Sequence, residues 1–212
     1  MHMPMRLHYH PASPYSLKAY SAVLHRGDTM DFHAVDVRGG ELTAPTFRAL
    51  SPFGKIPVLE KEQGPLIEST SIIEYLEERG PRVLLPPGSE RVARHFDRLG
   101  DLYLVDPMST LWFRPRVPEA ERTPEFAAAA WGLFAQQLAH RPFVTGDRFT
   151  LGDLSGAIGT EYLERLGVQP PEPIRAWKAR CFETLGLAQA FNQTAPILVA
   201  MLSARARTTA GS

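Results

Sequence analysis

The chain has 212 residues, 44% of them hydrophobic and 22% charged, which is enough apolar material for one large core or two small ones. Lys plus Arg and Asp plus Glu balance at 23 each, which excludes a basic field for nucleic acid and an acidic solvating tail and leaves small molecules or another subunit as partners. One cysteine excludes an internal disulfide or a Cys-rich zinc site, no apolar run approaches the ~18 residues of a membrane span, and Met1-His2-Met3-Pro4 lacks the charged and apolar regions of a signal peptide, so a reducing, cytoplasmic setting is expected.

Arg6 to His10 reads as a short strand with His8 and His10 on one face. No third ligand follows at metal spacing, so a structural role is expected and no metal site. Ser13 and Pro14 suit the N-cap and first position of a helix whose apolar residues Leu17, Tyr20 and Leu24 share a face and which Gly27 stops. Asp31 to Val37 gives a second strand, and Gly39 to Leu50 a polar loop with a helical turn. Ile56 to Glu60 is too apolar for a loop, yet Pro57 has no N–H for a ladder, so it starts a strand or lies at its edge. The Ile56–Pro57 bond is a candidate for the cis form, which would leave the Val58 main chain free to pair with an extended peptide.

Leu66 and Ile67 form the return strand, and Ser69 is placed as the N-cap of a helix with Ile72, Ile73 and Leu76 on its apolar face, ended by Gly80-Pro81. A helix N-terminus favours a carboxylate by ~0.3–1 kcal/mol, and Glu68 beside it offers an acceptor for an ammonium. Together they suit an amino-acid headgroup. Arg82 to Ser89, with two prolines and a glycine, marks a domain boundary, after which the patterning is helical. Val92, Phe96, Leu99 and Tyr103 make one stripe; Asp106-Pro107 interrupts it, and Leu111, Trp112 and Phe113 beyond are candidates for an apolar substrate wall. Thr123-Pro124-Glu125 opens a helix carrying Trp131, Phe134 and Leu138. Thr150 and Asp153 have capping-box spacing inside a Phe149/Leu154 staple. Ile174, Trp177, Cys181 and Leu185 share a face, which makes Cys181 a core residue, and the tail from Ala204 should fray.

The Ile-Pro-Val strand start followed by Glu-Ser at a helix resembles the glutathione site of the glutathione S-transferase superfamily, in a serine-type, theta/zeta/beta-related cytosolic form. Ser13-Pro14-Tyr15-Ser16 is similar to the Cys-Pro-Tyr-Cys site of glutaredoxins with both thiols replaced by hydroxyls, so dithiol exchange is unavailable there. The resemblance implies a thioredoxin-like α/β glutathione-binding domain over residues 1–84, a linker at 85–88 and an all-helical domain over 89–212. It implies that Ser13 donates to the glutathione thiolate, with Tyr9 and Ser16 as competitors for that role. By the same resemblance Pro57 is cis, Val58 pairs with the cysteinyl backbone alongside Ile56, Glu68 and Ser69 hold the γ-glutamyl end, and Lys55 meets the glycyl carboxylate. Phe53 either inserts into a partner subunit or packs locally, and the Thr150 to Asp153 box is the folding element of the helical domain. Glutathione as co-substrate, a small hydrophobic electrophile, no metal, no nucleic acid, no membrane and a homodimer follow as expectations. The implied reaction is conjugation of the thiolate to that electrophile, in a detoxification role. A glutathione-dependent isomerase, dehalogenase or lyase, or a non-catalytic binding protein of the same fold, stands as the alternative.

Overall fold

A computed structural model gives the fold and describes residues 5–114 and 116–210. The chain order is β1 (Arg6–Tyr9), α1 (Pro14–Arg26), β2 (Asp31–Ala34), a 3-10 turn at Glu41–Thr43, α2 (Pro45–Leu50), β3 (Val58–Glu60), β4 (Leu66–Ile67) and α3 (Ser69–Glu78). Helices α4 (Glu90–Gly100), α5 (Asp106–Phe113), α6 (Pro118–Glu121), α7 (Thr123–Leu138), α8 (Leu151–Arg165), α9 (Glu172–Phe182) and α10 (Leu185–Ala210) follow. Two compact units result, Met1–Leu76 with Leu185–Ser212, and Glu77–Thr184. The last helix thus groups with the sheet, whereas the sequence reading puts everything after residue 89 in one helical domain. The cause lies in α10 itself, whose Gln193 and Thr194 bond to Tyr20 and to the carbonyl of Pro11. The tail from Ala204, expected to fray, belongs to α10 as far as Ala210; residues 1–4 and 211–212 lie outside the described residues.

In the first unit the sheet order is β2-β1-β3-β4, with β1 parallel to β2 and antiparallel to β3, and β3 antiparallel to β4. Because side chains alternate along a strand, Leu7 and Leu59 share one face while Val58 turns to the other, where it packs with Val35 and Phe47. His8 is on that second face as well, with Nε2 at 2.9 Å from Glu60 Oε2 and its ring edge-on to Phe47. Among the described residues no group of three or more His, Cys, Asp or Glu is arranged to hold a metal ion. Helices α1 and α3 lie side by side with their first turns together: Lys18 Nζ donates to Thr70 Oγ1 at 2.8 Å, and further along Arg26 Nη2 donates to the Leu76 carbonyl at 2.7 Å.

The named elements of the second unit are all helices among the described residues. Its centre is the α8 face against α4 and α9, where Phe96, Phe134 and Trp177 stack in tilted and edge-on pairs. Gly100 and Gly156 let the two helix backbones meet: a Cβ on Gly100 would lie 2.9 Å from the Gly156 nitrogen, and one on Gly156 2.6 Å from the Phe134 ring. Asp106-Pro107 does not interrupt the helical run. The irregularity comes earlier, as a wide π-helical turn at Asp101–Val105, and Pro107 follows directly after it in α5. Tyr103 is correspondingly half exposed rather than part of a buried stripe. Cys181 is fully buried, and among the described residues no single helix is long and apolar enough to cross a membrane.

The polar anchor of this unit is Asp153. One carboxylate oxygen accepts from the Thr150 N–H and hydroxyl, both at 3.0 Å; the other accepts from the Val144 N–H at 2.9 Å and the Trp177 indole at 3.0 Å. The capping box therefore also ties a loop and a neighbouring helix to the start of α8. Burial pushes the Asp153 carboxyl up to about 6, against the pull of its four donors. A raised folded value means that the folded chain holds the proton longer than the unfolded one, so stability falls as pH climbs from about 4 to about 6, by about 3 kcal/mol. In Asp153→Asn that slope should disappear. Asp153→Ala, which orphans several buried donors, should lose about 3–5 kcal/mol, against about 0.5–2 for Thr150→Ala, in urea unfolding at neutral pH.

Candidate functional site

The register gathers the candidate residues at one end of the sheet. Val58 opens β3 opposite His8 near the end of β1 and opposite Ile67 at the end of β4. Three segments therefore meet there: the turn from β1 into α1, the loop entering β3, and the step from β4 into α3.

The first segment is a tight turn. The Ser13 N–H donates to the His10 carbonyl at 3.0 Å and the Ala12 N–H to His10 Nδ1 at 3.2 Å. Accepting at Nδ1 makes the His10 ring neutral with its proton on Nε2, consistent with a pKa lowered by burial and then by Arg38. Ser13 is the N-cap of α1, in extended conformation, and its hydroxyl oxygen accepts from the Ser16 N–H at 3.3 Å. A capping oxygen that only accepts keeps its own hydrogen to donate. Ser16 is fully buried inside the first turn, and Tyr9 is committed to packing, stacked on Tyr20 at 4.9 Å and edge-on to Phe32 at 6.1 Å. Burial and then Tyr20 raise the Tyr9 pKa, so its phenol stays protonated.

The second segment corrects the sequence reading. The Ile56–Pro57 bond is cis, as expected. Val58, however, is fully buried and lies between β1 and β4, so whichever way its N–H and C=O point they face a strand that is already there. The free main-chain unit is two residues earlier, at Ile56, whose N–H and C=O have no hydrogen-bond partner among the described residues. The Ser51 hydroxyl holds this loop, accepting from the Lys55 N–H at 3.0 Å and donating to the Lys55 carbonyl at 2.9 Å. The Lys55 side chain is exposed, and Phe53 is 68% exposed rather than packed locally.

In the third segment Ser69 is not the N-cap. It is the first helical residue of α3, and the Glu68 carbonyl accepts from the Ile72 N–H at 2.9 Å, which makes Glu68 the cap. Glu68 reaches that position with φ 72°, the one non-glycine residue with positive φ among those described. Such a conformation costs a non-glycine residue about 1–3 kcal/mol. The Glu68 side chain is exposed, beside the N-terminus of α3.

The sequence reading names Ile56 but gives the cysteinyl pairing to Val58 first, because a cis bond and a strand start do not by themselves say which side of the proline is unpaired. It missed Thr194, whose hydroxyl donates to the Pro11 carbonyl at 2.8 Å, 183 positions away in the chain. No local signal marks such a contact. Leu111 and Trp112 are half-buried and Phe113 is 75% exposed. An open apolar groove lies between α7 and the loop after α8, lined by Pro124, Ala128, Trp131, Gly132, Val168 and Pro170.

The family profile described as "Glutathione S-transferase, N-terminal domain" matches residues 7–86. Glutathione S-transferase 2 of Saccharomyces cerevisiae is 27% identical over 201 residues, covering 85% of this chain and 86% of its own length. A glutathione S-transferase of Pseudomonas putida is 30% identical over 178 residues, covering 77% of this chain and 76% of its own. Among solved structures, a delta-class glutathione transferase of Nilaparvata lugens superposes with a TM-score of 0.84 at 21% identity over 95% of this chain and 99% of its own, a likeness of fold.

The left-handed Glu68 carries a stability prediction of its own. Glu68→Gly should raise the unfolding free energy by about 1 kcal/mol, since glycine adopts that φ without a Cβ clash, whereas Glu68→Ala should give no gain. Denaturant midpoints of the three proteins, at equal m-value, measure this directly.

Proposed function

We propose that this chain, which belongs to the glutathione S-transferase family, conjugates the thiolate of glutathione to a small apolar electrophile, with Ser13 as the group that holds the thiolate. The observation that carries the reading is the meeting, at one end of the sheet, of a hydroxyl with a free hydrogen, an unpaired peptide unit at Ile56 and the open first turn of α3. Glutathione offers a complement to each. Its cysteinyl N–H and C=O pair with Ile56 in the manner of strand addition, next to cis-Pro57 and Val58. Its γ-glutamyl carboxylate takes the Ser69 amide and hydroxyl, and its ammonium takes Glu68. Its glycyl carboxylate meets Lys55.

The electrostatics are sufficient without a metal or a general base. A free thiol has a pKa of ~8.5, and lowering it by ~2 needs ~2.7 kcal/mol of preference for the anion. A hydrogen bond to a charged group supplies ~1.5–3 kcal/mol and a helix N-terminus ~0.3–2. The thiolate then attacks the electrophilic atom of the second substrate. Of the alternatives, a glutathione-dependent isomerase is the one a specific observation favours: maleylacetoacetate isomerase of Pseudomonas aeruginosa is 37% identical over 86 residues, 38% of this chain. Both reactions use the same first steps. The working division is a glutathione-binding domain over residues 1–84, a linker at 85–88 and a helical domain over 89–212, in a cytoplasmic protein acting in detoxification.

Ultraviolet titration of the bound thiolate tests the assignment. Ser13→Ala should raise the pKa of bound glutathione by about one to two, with glutathione affinity little changed, and Tyr9→Phe should leave it alone. A shift in Tyr9→Phe but not in Ser13→Ala would transfer the role to the phenol.

A homodimer is part of the same reading, because Phe53 presents a large apolar side chain to solvent on the loop that enters the site. Light scattering at micromolar concentration should give twice the 23.6 kDa chain mass. Phe53→Ser should lower that mass toward the monomer value.

A further inference from the structure

The connection from β1 to α1 is short of hydrogen-bond donors. Pro11 and Pro14 have no N–H, and within the turn between them the Ser13 and Ala12 amides both donate to His10. The further restraint comes from α10. Thr194 is buried, 1% exposed, and its hydroxyl lies 2.8 Å from the Pro11 carbonyl and 3.2 Å from the Ala190 carbonyl one turn back. A helical threonine ordinarily returns its single hydrogen to the residue four before it. Here the nearer acceptor is the turn, two residues before Ser13.

A second contact from the same helix grips the other side of the turn. Gln193 Oε1 accepts from the Tyr20 hydroxyl at 3.1 Å, and Tyr20 stacks on Tyr9, the last residue of β1, with rings 4.9 Å apart and 18° from parallel. Helix α10 itself has little room to slide. At its start Gly186 lies against the end of α1, where a Cβ would stand 2.5 Å from the His25 nitrogen and Cβ. With residue 186 at the end of α1 and residue 194 at its beginning, the first ten residues of α10 run antiparallel along α1 and are held at both 186 and 193–194.

We propose that α10 sets the position of the Ser13 hydroxyl, and that Thr194 is the positioning residue through which it does so. This rests on the reading of Ser13 as the group that holds the glutathione thiolate. Thr194 itself touches no substrate. Its bond to Pro11 fixes the direction in which the following peptides, and hence the capping hydroxyl, are presented. A thiolate hydrogen bond weakens steeply with misalignment, whereas the carboxylate and backbone contacts of glutathione at α3 and Ile56 are made by other elements.

The test uses the full chain with Thr194→Val, which keeps the volume and removes the donor, and Thr194→Ser, which keeps the donor. The valine variant should raise the pKa of bound glutathione by about one and lower kcat several-fold, with the KM for glutathione within about two-fold of the parent. The serine variant should restore both. Thr194→Ala removes the same donor without a methyl against the Pro11 carbonyl and carries the same expectation if the valine variant does not fold. An unchanged thiolate titration and kcat in the donor-less variants would overturn the inference alone. A serine variant as impaired as valine would also overturn it, as a packing effect. Absence of any bound thiolate in the parent protein would overturn the reading of Ser13 and this inference with it.

Discussion

Two helices begin at the same end of a four-stranded sheet, and the partial positive charge of their N-termini governs much of what this molecule can do. The Lys18 to Thr70 and Arg26 to Leu76 bonds keep α1 and α3 side by side and pointing the same way. Parallel helices add their end charges instead of cancelling them, so the shared end is a region of positive potential formed from backbone alone. An anionic ligand with two negative groups a few ångströms apart answers both helices at once. Side chains then refine a preference that the topology has already set.

Much of the fold is legible in the sequence because its punctuation is chemical. Ser13-Pro14 and Gly27 bracket α1, Pro57 marks the entrance of β3, and Thr150 with Asp153 opens α8. Each is a local device whose partner lies within four residues, and each is found where the sequence places it. The errors fall where the deciding interaction is not local. Asp106-Pro107 reads as a break, yet the helix accommodates it by widening one turn earlier, against the α8 backbone. Ser69 reads as a cap because serine prefers that position, whereas the cap is Glu68, in a left-handed backbone conformation that favours glycine or asparagine.

The site follows the same division. The residue types are visible in the sequence, and the direction in which each main-chain group points is not. Val58 and Ile56 are two residues apart in one apolar run, and only the strand order, with β3 between β1 and β4, decides which of them has a peptide unit to spare. The grouping of α10 with the sheet is equally invisible, since its apolar pattern is that of any core helix and its partners are nearly the whole chain away.

The chemistry of sulfur at this site is one-sided. Positions 13 and 16, where a glutaredoxin-like chain would carry two thiols, hold hydroxyls, and the single cysteine of these 212 residues, Cys181, is fully buried with its thiol pKa pushed well up by burial. Thiolate character and access together govern the first step of cysteine oxidation, and Cys181 has neither. Peroxide reaching this protein therefore meets no protein thiolate to convert to a sulfenic acid. The sulfur at risk arrives with the ligand and leaves with the product, so oxidative damage to the reactive centre is replaced at every turnover.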